Sequence, residues 1–258
     1  MNRELYDDAF FVSIRETARQ SAEVIVPFVS QLIRPTSVVD LGCGSGEWLA
    51  AFERYGATYV LGIDGAAAGP VVRRLRSGHF AVYDLSCGVP LRRTFDLAVC
   101  LEVGEHLPVE AAAGLVSSLC ALAPAVLFSA AVPHQGGVHH VSERWPGYWM
   151  ELFAYCGFVS LDIIRPHVWE HSKVAWWYAQ NTLLYVNEEK LGAHAMARLR
   201  FATTWPPGLS LIHPQNFQRR VAEVPEPGVR GAVAHLVKAV GHASRRRSRR
   251  LRLLWRHA

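Results

Sequence analysis

The chain has 258 residues, half of them hydrophobic, so it can bury a large core and is not disordered along its whole length. Its formal net charge of +5 depends on residues 245–258, which contain seven arginines and no acid; without those seven charges the net charge is −2. A slightly acidic body argues against a broad nucleic-acid surface.

The five cysteines are scattered and never spaced as CxxC, which argues against a disulfide framework and a zinc ribbon. We expect them to be small core residues in a reducing cytosol. The N-terminal sequence MNRELYDDAFFVSIRE lacks the apolar run of a signal peptide, and no apolar stretch is long enough to span a bilayer. The expected location is therefore the cytoplasm.

Apolar residues at helical spacing predict a first helix over residues 8–33, which Pro27 is expected to bend or split. Nearly continuous apolar runs then alternate with helical patterns, which is typical of a sheet buried on both faces. Seven strands are predicted, at residues 37–42, 59–64, 79–85, 95–102, 125–133, 159–165 and 181–187. The sequence thus predicts an α/β fold with a doubly wound, mostly parallel sheet. Its last strand is expected to be antiparallel, because a short connection precedes it.

The first predicted strand ends in VVDLGCGSGEW, where Asp40 precedes Gly42, Gly44 and Gly46. Glycines at such a turn let a ligand approach the backbone, and the next helix offers N–H groups at its N-terminus. A dinucleotide fingerprint would have its third glycine at position 47, where this chain has Glu47, whose carboxylate would repel a pyrophosphate. A ligand with an ammonium group would suit Asp40.

Further acids follow at the carboxyl ends of the next strands, the edge at which open α/β sheets bind ligands. Asp64 ends the second strand and is placed to accept from both hydroxyls of a ribose. Asp84 ends the third strand, where it can accept from an adenine amino group. The fourth strand lies in FDLAVCLEVGEHLP, in which Asp96 is expected to fix the strand's start.

Over roughly residues 36–187 the sequence resembles the class I S-adenosylmethionine-dependent methyltransferases. VVDLGCGSG resembles their first motif, YDLS their third, and FDLAVCLEVGEHLP their fourth-strand segment. The resemblance implies S-adenosylmethionine as cofactor, with Asp40 near its amino group, Asp64 at the ribose and Asp84 at the adenine. The implied cofactor-binding residues are Asp40, Gly42, Cys43, Gly44, Gly46, Asp64, Asp84, Leu85, Glu102 and Val103.

The segment HQGGVHHVSERWPGYW, residues 134–149, follows the fifth predicted strand and is expected to form the acceptor side of the site. A histidine here would act as a general base or a clamp for the acceptor; a structural role for the loop is the alternative. A metal is not predicted, because the two adjacent histidines point to different sides and the loop has one carboxylate. The candidate catalytic residues are His134, His139, His140 and Glu143, with His106 from the fourth-strand segment.

Aromatic residues are dense between positions 145 and 178, where they either fill the core or line a pocket for a sugar or planar natural product. This half of the chain resembles bacterial methyltransferases associated with glycan or secondary-metabolite pathways. The first helix resembles one that caps the substrate side in such enzymes, so Tyr6 and Arg15 are candidates to reach the acceptor. The aromatic residues are Trp145, Tyr148, Trp149, Trp169, Trp176, Trp177 and Tyr178.

Four regions are predicted: an N-terminal helical cap (1–35), a methyltransferase domain (36–187), a C-terminal helical extension (188–244) and a basic tail (245–258). The tail is expected to be solvated, to contact an anionic membrane weakly or to bind nucleic acid. The predicted function is O-methylation of a small molecule, a sugar or secondary metabolite. The alternatives are an NAD-dependent oxidoreductase and a nucleic-acid methyltransferase or binding module recruited by the tail.

Overall fold

The structure of the protein is a computed structural model that describes residues 8–66, 68, 79–200, 202, 204–206 and 210–223. The chain divides into two compact units, residues 1–217 and 218–258. The sheet and the candidate site belong to the first unit. The second unit is described only over residues 218–223, the last residues of a helix.

A seven-stranded sheet forms the centre of the first unit. Its strands are β1 (Ser37–Leu41), β2 (Tyr59–Asp64), β3 (His79–Val82), β4 (Leu97–Leu101), β5 (Ala125–Ser129), β6 (Val159–Leu161) and β7 (Leu183–Val186). The strand order is β3-β2-β1-β4-β5-β7-β6, and β7 is antiparallel to both neighbours while the other pairs are parallel. The predicted fold class is confirmed, including the antiparallel last strand.

Helices surround the sheet in the described part of the chain. They are α1 (Asp8–Ile33), α2 (Glu47–Arg54), α3 (Ala112–Leu122), α4 (Pro146–Tyr155), α5 (Arg165–Val168), α6 (Trp176–Asn181), α7 (Glu188–Leu191), α8 (Ala193–Arg200) and α9 (Pro214–Glu223). The first helix has its predicted bounds, and Pro27 lies inside it without splitting it. Pro146 is the first residue of α4, a position that its fixed φ favours.

Each face of the sheet has its own core, because alternate residues of a strand point to opposite faces. Val38 and Leu97 belong to one buried cluster, and their neighbours Val39 and Ala98 belong to the other. Side chains of α1 and α2 fill the first cluster, and side chains of α3 and α4 fill the second. Burial on both faces explains why the inner strands are continuous apolar runs.

Polar side chains end β3 and β6 earlier than predicted. Asp84 caps the 3₁₀ turn Leu85–Cys87, with its carboxylate accepting from the N–H of Ser86 at 3.0 Å. Asp162 follows β6 and forms an ion pair with Arg165, the first residue of α5; both side chains are fully buried. The pairing turns the chain out of the strand, so the predicted strand 159–165 is wrong in its second half.

Asp96 joins the start of β4 to the start of β1. Its Oδ2 accepts from the backbone N–H and the hydroxyl of both Thr36 and Ser37, at 2.7 to 3.1 Å. Burial opposes the charge, but these hydrogen bonds outweigh it and lower the pKa of Asp96. The geometry agrees with the structural role predicted for this residue.

Asp96→Ala is expected to lower the free energy of unfolding at neutral pH by about 1–2 kcal/mol, because a charged acceptor is lost at a partly solvated position. The pKa of Asp96 is depressed in the folded protein. Its contribution is therefore present above the unfolded-state pKa of about 3.9 and is lost as pH falls through the folded value. Urea unfolding of both proteins at about pH 7 and about pH 2 tests this. A difference that does not shrink in acid contradicts it.

None of the helices in the described ranges combines the length and apolarity needed to cross a membrane. The basic tail 245–258 and Tyr6 lie outside the described residues. The predicted tail interactions and the four predicted regions therefore stay predictions.

Candidate active site

The turn after β1 depends on three glycines with left-handed backbone. Gly42, Gly44 and Gly46 have φ angles of 85°, 50° and 81°, which side chains disfavour. A Cβ atom added at Gly42 would lie 2.3 Å from Cγ2 of Val103, so no side chain fits there. This close approach places the glycine turn directly against the segment that follows β4.

Asp64 holds this turn through its carboxylate. Its Oδ2 accepts from the N–H of Gly44 at 2.8 Å, and its Oδ1 accepts from the N–H of Gly65 at 2.6 Å. Asp64 and Asp40 are 5% and 2% exposed, and burial raises the pKa of both carboxyl groups, that of Asp40 also because Asp64 is near. Two buried acids beside a glycine turn suit a ligand that brings positive charge and hydroxyl donors.

The other predicted cofactor residues on this side differ in exposure. Asp84 is exposed and borders a surface cavity of about 400 Å³ after β3. Hydrogen bonds from Ser86 lower the pKa of Asp84, so it is an ionised acceptor. Leu85 is buried, as is Cys43, whose Sγ lies against Gly62; only the backbone of Cys43 belongs to the turn.

Glu47 in the first turn of α2 is paired with a residue of α1. Its Oε1 accepts from Nε of Arg15 at 2.8 Å, and the Glu47 side chain is almost fully buried. The ion pair offsets the charge on which the argument against a bound pyrophosphate depended. The ion pair also places the Arg15 side chain at the first turn of α2. The suggestion that Arg15 reaches the acceptor is therefore not supported.

A second polar cluster lies at the carboxyl ends of β4 and β5. The segment after β4 turns through the 3₁₀ helix Gly104–His106, which follows Glu102. The loop after β5 is fixed to this turn, because the backbone N–H groups of Val141 and Ser142 donate to the carbonyl oxygen of Glu105 at 2.8 and 3.0 Å. The predicted acceptor loop and the fourth-strand segment therefore form one surface.

Glu105 is the residue of this cluster that the sequence analysis missed. Its side chain is 0% exposed, and neither carboxylate oxygen forms a hydrogen bond of acceptable geometry. Burial, together with the charge of Glu102, raises the pKa of Glu105 well above its usual range. The E-x-x-E-H spacing of Glu102, Glu105 and His106 was the available signal, because a tight turn brings such positions to one side.

His140 is oriented by Glu143. The Nδ1 of His140 lies 3.0 Å from Oε1 of Glu143, and its Nε2 lies 4.0 Å from Oε1 of Glu105. Glu143 also accepts from the backbone N–H groups of His134 and Gly136 at 2.7 and 2.6 Å. Burial opposes its charge, but the hydrogen bonds lower the pKa of Glu143. Glu143, one of the candidate catalytic residues, thus fixes the conformation of the loop.

His106 faces His140 across the cluster. Its Nδ1 lies 3.3 Å from the carbonyl oxygen of His139, and its ring stands perpendicular to that of His140 at 4.9 Å. Burial, with a smaller effect of His140, lowers the pKa of His106 to about 4, so the ring is neutral at neutral pH. The side chains of His134 and His139 are exposed, on residues with φ of 65° and 58°.

Buried amides hold the carboxylate of Glu102. It accepts from Nε2 of Gln135 at 3.0 Å and from Nδ2 of Asn181 at 3.0 Å. The Oε1 of Gln135 accepts in turn from Asn181 and from Nε2 of Gln180, at 2.9 and 3.0 Å. Burial still raises the pKa of Glu102. The amides fix the position of Glu102 beside the glycine turn.

Gln180 extends these contacts to the chain beyond β7. Its Oε1 accepts from the backbone N–H of His213 at 2.8 Å and from Nδ2 of Asn216 at 3.2 Å. Both partners are buried. Sequence reasoning did not find this network, because its members lie on four separate segments and have no short-range pattern.

The aromatic residues divide between core and surface. Trp149 and Tyr178 are buried, whereas Trp145 is 41% exposed. A Cβ added at Gly104 would lie 2.6 Å from Cη2 of Trp149, so the indole packs directly beneath the 3₁₀ turn that carries the second cluster. The core interpretation therefore applies to Trp149 and Tyr178, and Trp145 is on the surface of the acceptor loop.

Residues 14–180 match the profile of a family described as a methyltransferase domain. The chain belongs to this family. The predicted enzyme class, an S-adenosylmethionine-dependent methyltransferase of class I, is thereby confirmed, and the oxidoreductase alternative is not supported. No curated protein matches the sequence significantly.

Several solved structures share the fold. DesVI from Streptomyces venezuelae is 14% identical, with 72% of this chain and 98% of DesVI covered and a TM-score of 0.55. CalS10 from Micromonospora echinaspora, an amino pentose methyltransferase with bound SAM, is 16% identical, with 71% and 98% covered and a TM-score of 0.53. The magnesium protoporphyrin IX methyltransferase of Synechocystis PCC 6803 with bound SAH is 22% identical, with 69% and 86% covered and a TM-score of 0.50.

Proposed function

We propose that this methyltransferase transfers the methyl group of S-adenosylmethionine to an oxygen atom of a small molecule, a sugar or a secondary metabolite. The observation that carries the proposal is the contact between the two polar clusters. Val103 packs on Gly42, so the glycine turn adjoins the segment that holds Glu102, Glu105 and His106. Methyl transfer is an in-line displacement, which requires donor and acceptor to be held in contact.

For the cofactor half we propose the residues that the resemblance implies. The ammonium group binds near Asp40, the ribose hydroxyls at Asp64 and the adenine at Asp84 with the backbone of Leu85. The backbone at Gly42, Cys43, Gly44 and Gly46 adjoins the methionine part, and Glu102 with Val103 the sulfonium. The burial of both carboxyl groups supports this assignment, because the ammonium and sulfonium groups of a bound cofactor would supply the positive charge that favours their ionised form.

For the acceptor half we propose the surface made by His106, His140 and Glu105. A hydroxyl must lose its proton during transfer, and a positioned histidine side chain is suited to assist that loss. His140 has the support of Glu143, whereas the exposed side chains of His134 and His139 lie outside the cluster of ligating atoms. The likeness to CalS10, which is named as acting on an amino pentose, supports a sugar-sized acceptor.

The cofactor half is tested by Gly42→Ala. The new methyl group would overlap Val103, and the residue would keep a left-handed φ of 85°. Backbone strain of about 1–3 kcal/mol predicts binding of S-adenosylhomocysteine that is weaker by about 5-fold to 150-fold in calorimetry. The control is Gly114→Ala on α3, where no atom lies within 4 Å of the new Cβ; it is expected to leave affinity unchanged and to raise stability by about 0.5–1 kcal/mol.

The acceptor half is tested by incubation with radiolabelled S-adenosylmethionine and a panel of sugar nucleotides, glycosides and phenols. Labelled product with an O-methyl group in its nuclear magnetic resonance spectrum supports the proposal. An N-methyl product, or methylated RNA or DNA in place of small-molecule product, contradicts it. Absence of binding by wild-type protein to both S-adenosylmethionine and S-adenosylhomocysteine overturns it entirely.

A further inference from the structure

We propose that Glu105, His106 and His140 bind a divalent transition-metal ion on the acceptor side of the site. One ligand atom of each residue lies within 4.8 Å of the others, a distance that a small adjustment of the side chains closes around one ion. The metal site depends on these three residues alone. Only its role in holding the acceptor rests on the function proposed above.

The state of Glu105 points to a cation. Its carboxylate is fully buried, and neither oxygen forms a hydrogen bond of acceptable geometry. A buried carboxylate without well-formed hydrogen bonds or a counter-ion in contact is costly, since nothing fully replaces the water that it loses. Its neighbour Glu102 is stabilised by amide donors from Gln135 and Asn181, whereas the donors near Glu105, the backbone N–H groups of Glu105 itself and of Ala131, form no hydrogen bond of normal geometry with its carboxylate. A divalent ion would supply the missing partner.

The two imidazole rings are held as metal ligands are held. Glu143 lies 3.0 Å from Nδ1 of His140, so the opposite nitrogen, Nε2, faces Glu105. A carboxylate behind a histidine is the usual arrangement for fixing the ring and strengthening it as a ligand. In His106, a proton on Nδ1 directed at the carbonyl of His139 puts the lone pair on Nε2. Gly137 leaves the space that the His140 ring occupies.

The donor set selects the kind of ion. Two imidazole nitrogens with one carboxylate favour first-row transition metals such as Mn²⁺, Co²⁺ or Zn²⁺, whereas Mg²⁺ and Ca²⁺ prefer oxygen ligands throughout. Three protein ligands leave coordination positions open for the acceptor. An ion there would bind the acceptor hydroxyl and lower its pKa, and the hydroxyl proton would pass to solvent, with no change in oxidation state. His140 would then be a ligand in place of a general base.

The test is Mn²⁺ binding by the full chain after treatment with a chelator and its removal. We expect one bound Mn²⁺ per chain by electron paramagnetic resonance, with electron spin-echo modulation from two imidazole nitrogens. Glu105→Gln, His106→Ala and His140→Ala are each expected to weaken Mn²⁺ binding by at least about tenfold. The matched control is His194→Ala, an exposed histidine on α8, which should leave Mn²⁺ affinity unchanged.

Binding of S-adenosylhomocysteine to the same preparations shows that each variant is folded and separates the two proposals. Glu105→Gln retains the side chain's shape and cannot ionise at a fully buried position, so it is the variant expected to fold best. Wild-type protein that binds S-adenosylhomocysteine but neither Mn²⁺ nor Co²⁺ overturns the metal site and leaves the proposed function standing. Mn²⁺ binding that none of the three substitutions weakens also overturns the metal site.

Discussion

Asp64→Ala is expected to weaken the binding of S-adenosylhomocysteine on the order of 100-fold. A carboxylate that accepts from ribose hydroxyls contributes about 1.5–3 kcal/mol for each charged hydrogen bond, and each 1.4 kcal/mol changes affinity about tenfold. The substitution also removes the acceptor for the N–H of Gly44, so the glycine turn is held less firmly. Isothermal titration calorimetry measures the loss directly.

Two comparisons separate the ribose contact from the effect on the turn. An S-adenosylhomocysteine analogue without the 2′-hydroxyl should bind wild-type protein more weakly than the parent ligand, whereas Asp64→Ala should bind the two almost equally. Asp96→Ala serves as the matched control, because that carboxylate also accepts from backbone N–H groups but lies at the start of β4. It should alter stability without altering affinity. Undiminished affinity in Asp64→Ala refutes the ribose assignment.

Arg165→Met is expected to lower the free energy of unfolding by about 3–5 kcal/mol, because it leaves the carboxylate of Asp162 buried without its partner. Both side chains are fully buried, and the guanidinium donates through Nε and Nη2 to the two oxygens of Asp162. The guanidinium also donates through Nη1 to the carbonyl oxygen of Gln180 at 3.4 Å. Urea unfolding, followed by circular dichroism, measures the change.

The control for Arg165 is Arg19→Met on the exposed side of α1. Arg19 pairs with Glu16 and Glu23, but all three side chains are solvated, so its loss should leave the free energy of unfolding nearly unchanged. The double variant Asp162→Asn with Arg165→Met should recover a large part of the stability, since it removes the uncompensated charge. A double variant as unstable as Arg165→Met would contradict this explanation.

The order of elements could be predicted from the sequence because burial on both faces makes each strand an uninterrupted apolar run. β2 was predicted with its observed bounds, since Asp64 and the glycine after it end the run. β6 could not be predicted correctly, because Asp162 and Arg165 satisfy each other and the pair is visible only once α5 is packed.

The candidate site was predictable where it depends on local geometry. The glycine turn and the acids at or near the ends of β1, β2 and β3 lie within their own short motifs, so their positions in the fold could be predicted. Glu105 escaped notice because its character comes from burial beneath the acceptor loop. Gln135 and Gln180 were also missed, because nothing in the local sequence around a glutamine indicates a hydrogen-bond partner 45 residues away.

The chain of amides behind Glu102 has a consequence for how far the catalytic unit extends. The match to the methyltransferase family ends at residue 180, yet the Oε1 of that same Gln180 depends on donors from His213 and Asn216. A shortened protein that stopped after β7 would leave this buried oxygen without donors. The other end of the same amide donates to Gln135, which in turn donates to Glu102. The smallest fragment that retains an ordered active site should therefore reach at least Asn216, some way past the last strand of the sheet.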